Sequence, residues 1–282
     1  MKLGIALLSL FLTLGSMAQQ ASIPFRLIDG WAIVVEGTLG GLPHQKLLID
    51  TGAVPSAINI RVTKRLGLSG SVRQLSLMNR VVPVESVRIP AVRLGALQVA
   101  ALDMVAMDLG RIEQELGTRI DAVIGLDLLA KQNFTLDYLH KNLYFGKSDS
   151  VVGLIAFETR HEAGGTYILI PLESGGEKLE LLLDTGTKDI MLFEQRLGPR
   201  FRELPVRDHS ITVNAGGKDR LAEVELQSVK LGPFLRRKQK ASIWSTPQDY
   251  LRSFDGLLGP IAVGATVVGF DFDRQVVSFE IR

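Results

Sequence analysis

The feature that most constrains this chain is a set of landmarks that recurs in the same order at a fixed spacing. The segment Leu47–Gly52 recurs as Leu181–Gly186, and Asp121–Gly125 recurs as Asp255–Gly259 at the same offset along the chain. A third pair, Val92–Gly95 and Val229–Gly232, lies slightly further apart, which indicates a short insertion that is later compensated. Ordered landmarks at one period indicate an internal duplication. We therefore expect two similar halves.

Each half is rich in short apolar runs that end at Gly, Pro, Asn or Asp, a pattern typical of β-strands. The chain has 282 residues, 46% of them hydrophobic, which is enough for two domains with cores of their own. We predict an all-β fold with two pseudo-symmetric lobes and a cleft between them, spanning residues 19–150 and 151–282. The few helical segments expected are short, namely Asn59–Leu66, Ile112–Leu116 and Phe193–Leu197.

The composition excludes several kinds of chemistry. The chain has no Cys and four scattered His, so thiolate chemistry and a His-based metal site are not expected. Its net charge is +2, and the densest basic stretch, Arg236–Lys240, is interpreted as a solvated loop or edge strand. We therefore expect no metal, no cofactor and no nucleic-acid partner.

The segment at residues 1–18 has the pattern of a secretory signal peptide. A basic start at Lys2 precedes the apolar run Leu3–Leu14, and the small residues Ser16 and Ala18 precede the expected cleavage point after Ala18. The apolar run is shorter than a membrane-spanning helix. We expect a periplasmic or secreted protein without stable membrane insertion after cleavage; an uncleaved N-terminal anchor is the alternative.

Each Asp-Thr-Gly follows three apolar residues, which places Asp50 and Asp184 at the end of a strand, in a tight turn. If the two halves face each other, the two carboxylates meet, share a proton and titrate as a pair. One carboxylate is then a general base toward water and the other a general acid toward a carbonyl. The alternative is that both are structural turn residues. Asp121 and Asp255 are interpreted as residues that brace a turn.

The paired D-T-G motifs, each followed by D-x-φ-φ-G (φ apolar), resemble those of aspartic proteases of the retropepsin and pepsin group. The resemblance covers residues 25–146 and 165–282, and D-T-G-A at residues 50–53 is similar to the retroviral type. It implies that Asp50 and Asp184 are catalytic and that Thr51 and Thr185 interlock the two loops. It further implies supporting roles at the dyad and in the strands that thread behind it for Gly52, Ala53, Gly186, Thr187, Ile124, Gly125, Leu258 and Gly259.

The resemblance also implies a β-hairpin flap that closes over the substrate. In the second half, Asn214-Ala215-Gly216-Gly217 is a plausible hairpin tip, with Gly216 and Gly217 as its glycines. In the first half the candidate tip, Met78-Asn79-Arg80, contains no glycine. One flap and two flaps both remain open at this point.

The residue after each D-T-G differs between the halves. The hydroxyl of Thr187 can donate to the Asp184 carboxylate, whereas the Ala53 side chain offers Asp50 nothing equivalent. This asymmetry predicts that Asp184 is the more acidic member of the pair and that Asp50 more often holds the proton.

The function that these observations favour is that of an exported aspartic endopeptidase, active as a monomer, that binds an extended polypeptide as an added strand. Two alternatives remain. The first is that the chain is a non-catalytic peptide- or envelope-binding protein that keeps the fold, and the second is that its lobes pair between chains in an obligate dimer.

Overall fold

The computed structural model describes residues 22–77, 79–147, 152–162, 164–214, 216–245 and 252–282. The predicted signal peptide, residues 1–18, lies outside the described residues. The first twelve strands are β1 Ser22–Ile28, β2 Ala32–Leu39, β3 Leu42–Ile49, β4 Ala57–Asn59, β5 Ser71–Ser76, β6 Val81–Ile89, β7 Val92–Leu94, β8 Leu97–Val99, β9 Leu102–Met107, β10 Ala122–Ile124, β11 Phe134–Asp137 and β12 Asn142–Phe145. The remaining described strands are β13 Leu154–Ala156, β14 Glu158–Glu162, β15 Gly165–Ser174, β16 Glu177–Leu183, β17 Ile190–Phe193, β18 Asp208–Asn214, β19 Gly217–Leu231, β20 Phe234–Trp244, β21 Gly256–Leu258, β22 Ala265–Asp271 and β23 Val276–Ile281.

The helices are short. In the described part of the chain they are α1 Ile60–Leu66, α2 Gly110–Leu116, α3 Leu126–Leu129 and α4 Pro199–Arg202, with 3₁₀ turns at Glu194–Arg196 and Pro260–Val263. Helix α1 begins where the Asn59 side chain accepts a hydrogen bond from the Arg61 N–H, and it ends at Gly67 in the left-handed conformation. The three predicted helical segments are confirmed at α1, α2 and the first 3₁₀ turn. Helices α3 and α4, at four residues each, are too short to leave a periodic signal in the sequence.

The all-β prediction is confirmed, since the strands form two sheets. One sheet contains fifteen of the described strands, β1–β13 together with β22 and β23, and the other contains β14–β21, eight strands in all. The basic stretch Arg236–Lys240 lies in β20, where it pairs with β19, whereas among the described residues β17 pairs with β20 only at residues 242–244. This part of β20 is therefore an edge, in agreement with the expectation of a solvated loop or edge strand, and Arg237, Lys238 and Lys240 are exposed.

The strand pairings around the two D-T-G motifs match. In the first half β3 pairs in parallel with β10, with Ile49 opposite Ile124. In the second half β16 pairs in parallel with β21, with Leu183 opposite Leu258. Strands β4 and β17 then pair antiparallel to β10 and β21. The two acidic loops therefore leave equivalent points of equivalent strand arrangements.

The halves also differ, and one residue explains a large part of the difference. In the second half β19 runs without interruption from Gly217 to Leu231. In the first half the equivalent stretch is broken into β6 and β7 at Pro90, because proline lacks the N–H that a central strand donates.

The larger sheet joins the two halves of the chain through β11 and β22. Thr135 lies opposite Gly269, its counterpart in the second copy of the repeat, so the antiparallel pair is centred on equivalent positions. The rings of Phe134 and Phe270 stack here with centroids 4.3 Å apart. Strand β13 also lies in this sheet, paired with β23, while the expected boundary at residues 150 and 151 lies outside the described residues. The division into two lobes with a cleft stays a prediction.

No helix in the described ranges is long and apolar enough to cross a membrane.

Candidate active site

The two D-T-G loops meet, and their threonines interlock. The Thr51 N–H donates to Thr185 Oγ1 at 3.0 Å, and the Thr185 N–H donates to Thr51 Oγ1 at 3.0 Å. Each hydroxyl then donates across the contact, Thr51 to the Leu183 carbonyl at 2.6 Å and Thr185 to the Ile49 carbonyl at 3.0 Å. Both side chains are buried, so these four hydrogen bonds fix the loops where water does not compete.

The glycine of each motif lies against the carboxyl group of the other motif. A Cβ added at Gly52 would lie 2.6 Å from Asp184 Cγ, and a Cβ added at Gly186 would lie 2.5 Å from Asp50 Cγ. Both distances are too short for any side chain, so glycine is required for the two carboxyl groups to approach each other.

The strands within the two D-x-φ-φ-G segments, β10 and β21, lie directly behind the acidic loops. The Asp50 N–H donates to the Ile124 carbonyl and the Asp184 N–H donates to the Leu258 carbonyl, both at 3.0 Å. A Cβ at Gly125 would overlap the Ala53 carbonyl, and one at Gly259 would overlap that of Thr187. The structure thus brings together the eight residues that the resemblance assigned to support of the dyad and the strands behind it.

Asp184 is buried and Asp50 is partly buried, and their carboxyl groups hydrogen-bond to each other. Burial raises the pKa of Asp50, but hydrogen bonds from Asp184 and from the Gly52 and Ala53 N–H groups oppose the rise. Burial and then the charge of Asp50 raise the pKa of Asp184 well above its ordinary value of 3.8. The pair therefore holds one proton over a wide pH range.

The contact on which the expected order of acidity rests is not made. The Thr187 hydroxyl does not reach Asp184; it accepts the Asp189 N–H at 3.4 Å. Asp50 Oδ1 accepts from the Gly52 N–H at 2.9 Å and from the Ala53 N–H at 3.0 Å, whereas Asp184 Oδ1 accepts from the Gly186 N–H at 2.7 Å. Backbone donors, rather than a side-chain hydroxyl, thus favour the charged form at Asp50.

Asp121 and Asp255 lie away from the pair and brace neighbouring strands. Asp121 Oδ2 accepts the Lys46 N–H at 2.9 Å, and Asp255 Oδ2 accepts the Glu180 N–H at 2.9 Å. Each also pairs with an arginine, Asp121 with Arg119 and Asp255 with Arg196. Their interpretation as bracing residues agrees with these contacts, although the braced elements are β3 and β16.

Both flap candidates are β-hairpins, β5–β6 in the first half and β18–β19 in the second. Met78 lies outside the described residues, but Asn79 lies at the first tip, and Asn214, Gly216 and Gly217 form the second. The tips contact each other: Asn79 Nδ2 donates to Asp219 Oδ2 at 2.8 Å, and Asn214 Nδ2 donates to the same oxygen at 2.9 Å. A Cβ at Gly216 would overlap Asn79 Oδ1. Both flap candidates, rather than one, are therefore formed as hairpins.

Two residues at the hairpins escaped the sequence analysis, Asp219 and Arg252. Arg252 is 6% exposed, and its Nη2 donates to the carbonyls of Ser76 and Leu77 at 3.0 and 3.3 Å. The second half of the chain thereby holds the hairpin of the first. Neither residue belongs to a motif, and their partners in the first hairpin are distant in the chain, so the sequence carries no signal for either contact.

The comparisons with known proteins bear on the first half. Residues 35–128 match a family model described as aspartyl protease. The match confirms the resemblance to aspartyl proteases of retropepsin type for this part of the chain. A search of curated proteins found none that matches. Within the described ranges, no cluster of three or more His, Cys, Asp or Glu side chains is placed to hold a metal ion.

Proposed function

We propose that this protein is an exported aspartic endopeptidase and that Asp50 and Asp184 form its catalytic dyad. One observation carries the proposal: each acidic loop places its glycine against the opposite carboxyl group, while the buried threonines lock the loops together. Such an arrangement holds two carboxyl groups in contact while it partly or fully removes them from water, which is unfavourable in a purely structural turn.

The shared proton assigns different tasks to the two residues. Asp50, the more acidic, takes a proton from a water molecule that attacks the peptide carbonyl carbon, while Asp184 gives its proton to the carbonyl oxygen. The tetrahedral product then collapses: Asp50 returns its proton to the leaving amide nitrogen, the C–N bond breaks, and Asp184 recovers a proton from the diol. Atoms and charge balance without a cofactor.

The substrate we propose is a polypeptide in extended conformation, bound between the dyad and the two hairpins. An extended peptide offers its backbone N–H and C=O groups to neighbouring strands, and the strands of the hairpins carry such groups. The apolar cluster that includes Val34, Leu48, Leu75 and Val123, and the cluster that includes Tyr167, Leu182 and Leu257, contain residues of the strands that enter the site and of the first hairpin. These clusters favour apolar side chains in the substrate.

The dyad is formed within one chain, which favours a monomer as the active species. The mass of the active protein in solution tests this, because an obligate dimer would lose activity on dilution. Export is proposed from the residues 1–18 alone and is tested by the N-terminal sequence of protein recovered from the periplasm or medium, with Gln19 expected as the first residue.

The decisive experiment compares cleavage of a diverse peptide pool by the wild type and by Asp50→Asn and Asp184→Asn variants, read by mass spectrometry across a range of pH. We expect either substitution to lower kcat by about 10³-fold or more, because each removes one half of the acid–base pair. Asp103→Asn is a matched control on the exposed face of β9 and should cleave as the wild type does. Cleavage that survives either dyad substitution would contradict the assignment. A folded protein that cleaves nothing would favour a non-catalytic binding role.

A further inference from the structure

The two acidic loops are not held in the same way. In the first half the segment that follows D-T-G is anchored by Ser56, which is fully buried. The Ser56 N–H donates to Asp127 Oδ2 at 2.7 Å and its hydroxyl donates to Asp127 Oδ1. The same hydroxyl accepts the Gly125 N–H at 2.9 Å. Asp127 lies in α3, immediately after the strand behind the site, so it ties the loop to that strand.

The second half has no such anchor at the equivalent positions. In the second copy of the repeat, Ile190 occupies the position of Ser56, and Ile261 occupies the position of Asp127. There the Gly259 N–H donates to a backbone carbonyl, that of Asp189, at 2.9 Å. The polar brace is therefore specific to the loop that carries Asp50.

The brace lies at one end of a short segment whose other end touches the dyad. Gly125 packs against the Ala53 carbonyl so closely that a Cβ would overlap it, and the Ala53 N–H donates to Asp50 Oδ1 at 3.0 Å. The Ala53 N–H also donates to the Asp50 backbone carbonyl at 3.1 Å, whereas in the second loop the Thr187 N–H donates to the Asp184 backbone carbonyl at 3.4 Å and not to its carboxyl group. The loop with the brace thus supplies its own carboxylate with two close backbone donors and the second loop supplies one, although the Gly52 N–H also interacts with Asp184.

We propose that Asp127, acting through Ser56, holds the first acidic loop so that the Ala53 N–H donates to Asp50, and that this brace makes Asp50 the ionised member of the dyad. Asp127 and Ser56 are positioning residues and do not touch the substrate. The inference rests on the proposed catalytic dyad, but it concerns where the shared proton resides and is measurable without turnover.

The ionisable groups around the pair do not mask the effect of the brace on the pKa of Asp50. Besides the two aspartates themselves, Tyr138, directly after β11, and Tyr167 on β15 interact electrostatically with Asp184. Burial raises the pKa of both tyrosines above an already high ordinary value, so both stay neutral while the dyad titrates. The negative charge of Asp127 itself disfavours ionisation of the dyad, so removing that charge alone would lower the pKa of Asp50. A rise on substitution can therefore come only through the lost brace.

The experiment is an NMR titration of ¹³C-labelled aspartate carboxyl groups in protein made from the full chain, with the dyad signals identified from the Asp50→Asn and Asp184→Asn variants. We compare the wild type with Ser56→Ala, which removes the hydroxyl and no charge, and with Asp127→Ala. Both should raise the lower apparent pKa of the pair by about one unit, the effect of one lost backbone hydrogen bond. Ser56→Thr keeps the hydroxyl and should restore the wild-type titration.

Asp271→Asn provides the matched control, because Asp271 also braces a turn through its carboxylate but lies in the β22–β23 hairpin. It should leave the pair unchanged. A lower apparent pKa that stays constant or falls in both Ser56→Ala and Asp127→Ala overturns the proposal. If one variant fails to fold, as judged by circular dichroism, the other decides. An inactive protein whose carboxyl pair still responds to Ser56→Ala would contradict the proposed function and support the brace.

Discussion

At the scale of single residues, the threonine of each D-T-G motif makes the hydrogen bonds that join the two acidic loops. Thr51 Oγ1 both accepts the Thr185 N–H and donates to the Leu183 carbonyl, and the side chain is fully buried. Valine has the same shape and neither hydrogen-bonding function. Thr51→Val therefore leaves a buried donor and a buried acceptor unpaired, and we expect a loss of about 2 kcal/mol or more in the free energy of unfolding.

Urea unfolding at neutral pH measures this loss, with Thr51→Ser as the control because it keeps the hydroxyl. We expect the serine variant to retain most of the stability. Equal stabilities for the serine and valine variants would mean that the interlocking hydrogen bonds contribute nothing.

The carboxyl pair makes stability depend on pH. The pKa of Asp184 is raised by folding, so its ionised form is disfavoured in the folded state and wild-type stability falls as pH rises from 3.8 through the raised pKa. Asp184→Asn removes this loss. The variant should match the wild type below the ordinary pKa and exceed it above the raised one, by about 1.4 kcal/mol for each unit of the rise.

Denaturant titrations between about pH 3 and 8 give this difference directly. Asp103→Asn removes an exposed aspartate and should show no such pH-dependent gain. A stability difference between Asp184→Asn and the wild type that is the same at every pH would contradict a raised pKa.

Residue identity predicted the dyad, the interlocking threonines and the required glycines, because each of these roles needs a particular side chain or its absence. It failed for the source of the asymmetry between the two carboxyl groups, which is not the Thr187 hydroxyl. The donor that distinguishes Asp50 is the backbone N–H of Ala53, a group that almost every residue has, and the residue type therefore carries no signal. Asp127, the residue that holds this N–H in place through Ser56, is visible only once α3 is folded beside the loop.

At the scale of elements, the contact between the two hairpin tips depends on a single carboxylate. Asp219 accepts from Asn79 of the first hairpin and from Asn214 of its own. Asp219→Ala removes both hydrogen bonds at once. We expect faster amide hydrogen exchange in residues 71–89 as well as in 208–223, with a change in global stability of about 1 kcal/mol or less, since the contact lies at the surface end of both hairpins.

Asp208→Ala changes an exposed aspartate at the other end of β18 and provides the control. It should leave exchange in residues 71–89 unchanged. If Asp219→Ala accelerates exchange in its own hairpin only, the two tips do not stabilise each other.

The sequence predicted the second hairpin tip from its two glycines, and it located the first from the flanking strands alone. It could not show that the tips meet, because Asn79 and its partner Asp219 lie in different halves of the chain. The run of charges in β20 predicted an edge strand correctly, because in the described part of the chain β17 pairs with β20 only beyond that run, at residues 242–244.

At the scale of the whole molecule, the repeat predicted equivalent strand arrangements, but it did not show that one sheet contains strands from both halves. Strands β11 and β22 pair along their length, and Asn133 reaches across to donate to Asp273 at 3.0 Å. Together with the interlocked threonines, this connection ties the halves at two places. We therefore expect the described parts of the chain to unfold as one cooperative unit.

The two tryptophans make this expectation testable, because Trp31 lies in the first half and Trp244 in the second. Trp31→Phe and Trp244→Phe each leave one fluorescent reporter, and the two denaturation curves should coincide. Adding Phe134→Ala removes a buried ring that stacks on Phe270 at the connection, and it should lower the free energy of unfolding by about 3–5 kcal/mol in both reporters equally. Phe193→Ala is the matched control within the second half. In a cooperative molecule it also shifts both curves together, whereas a shift seen by Trp244 alone would show that the halves unfold independently.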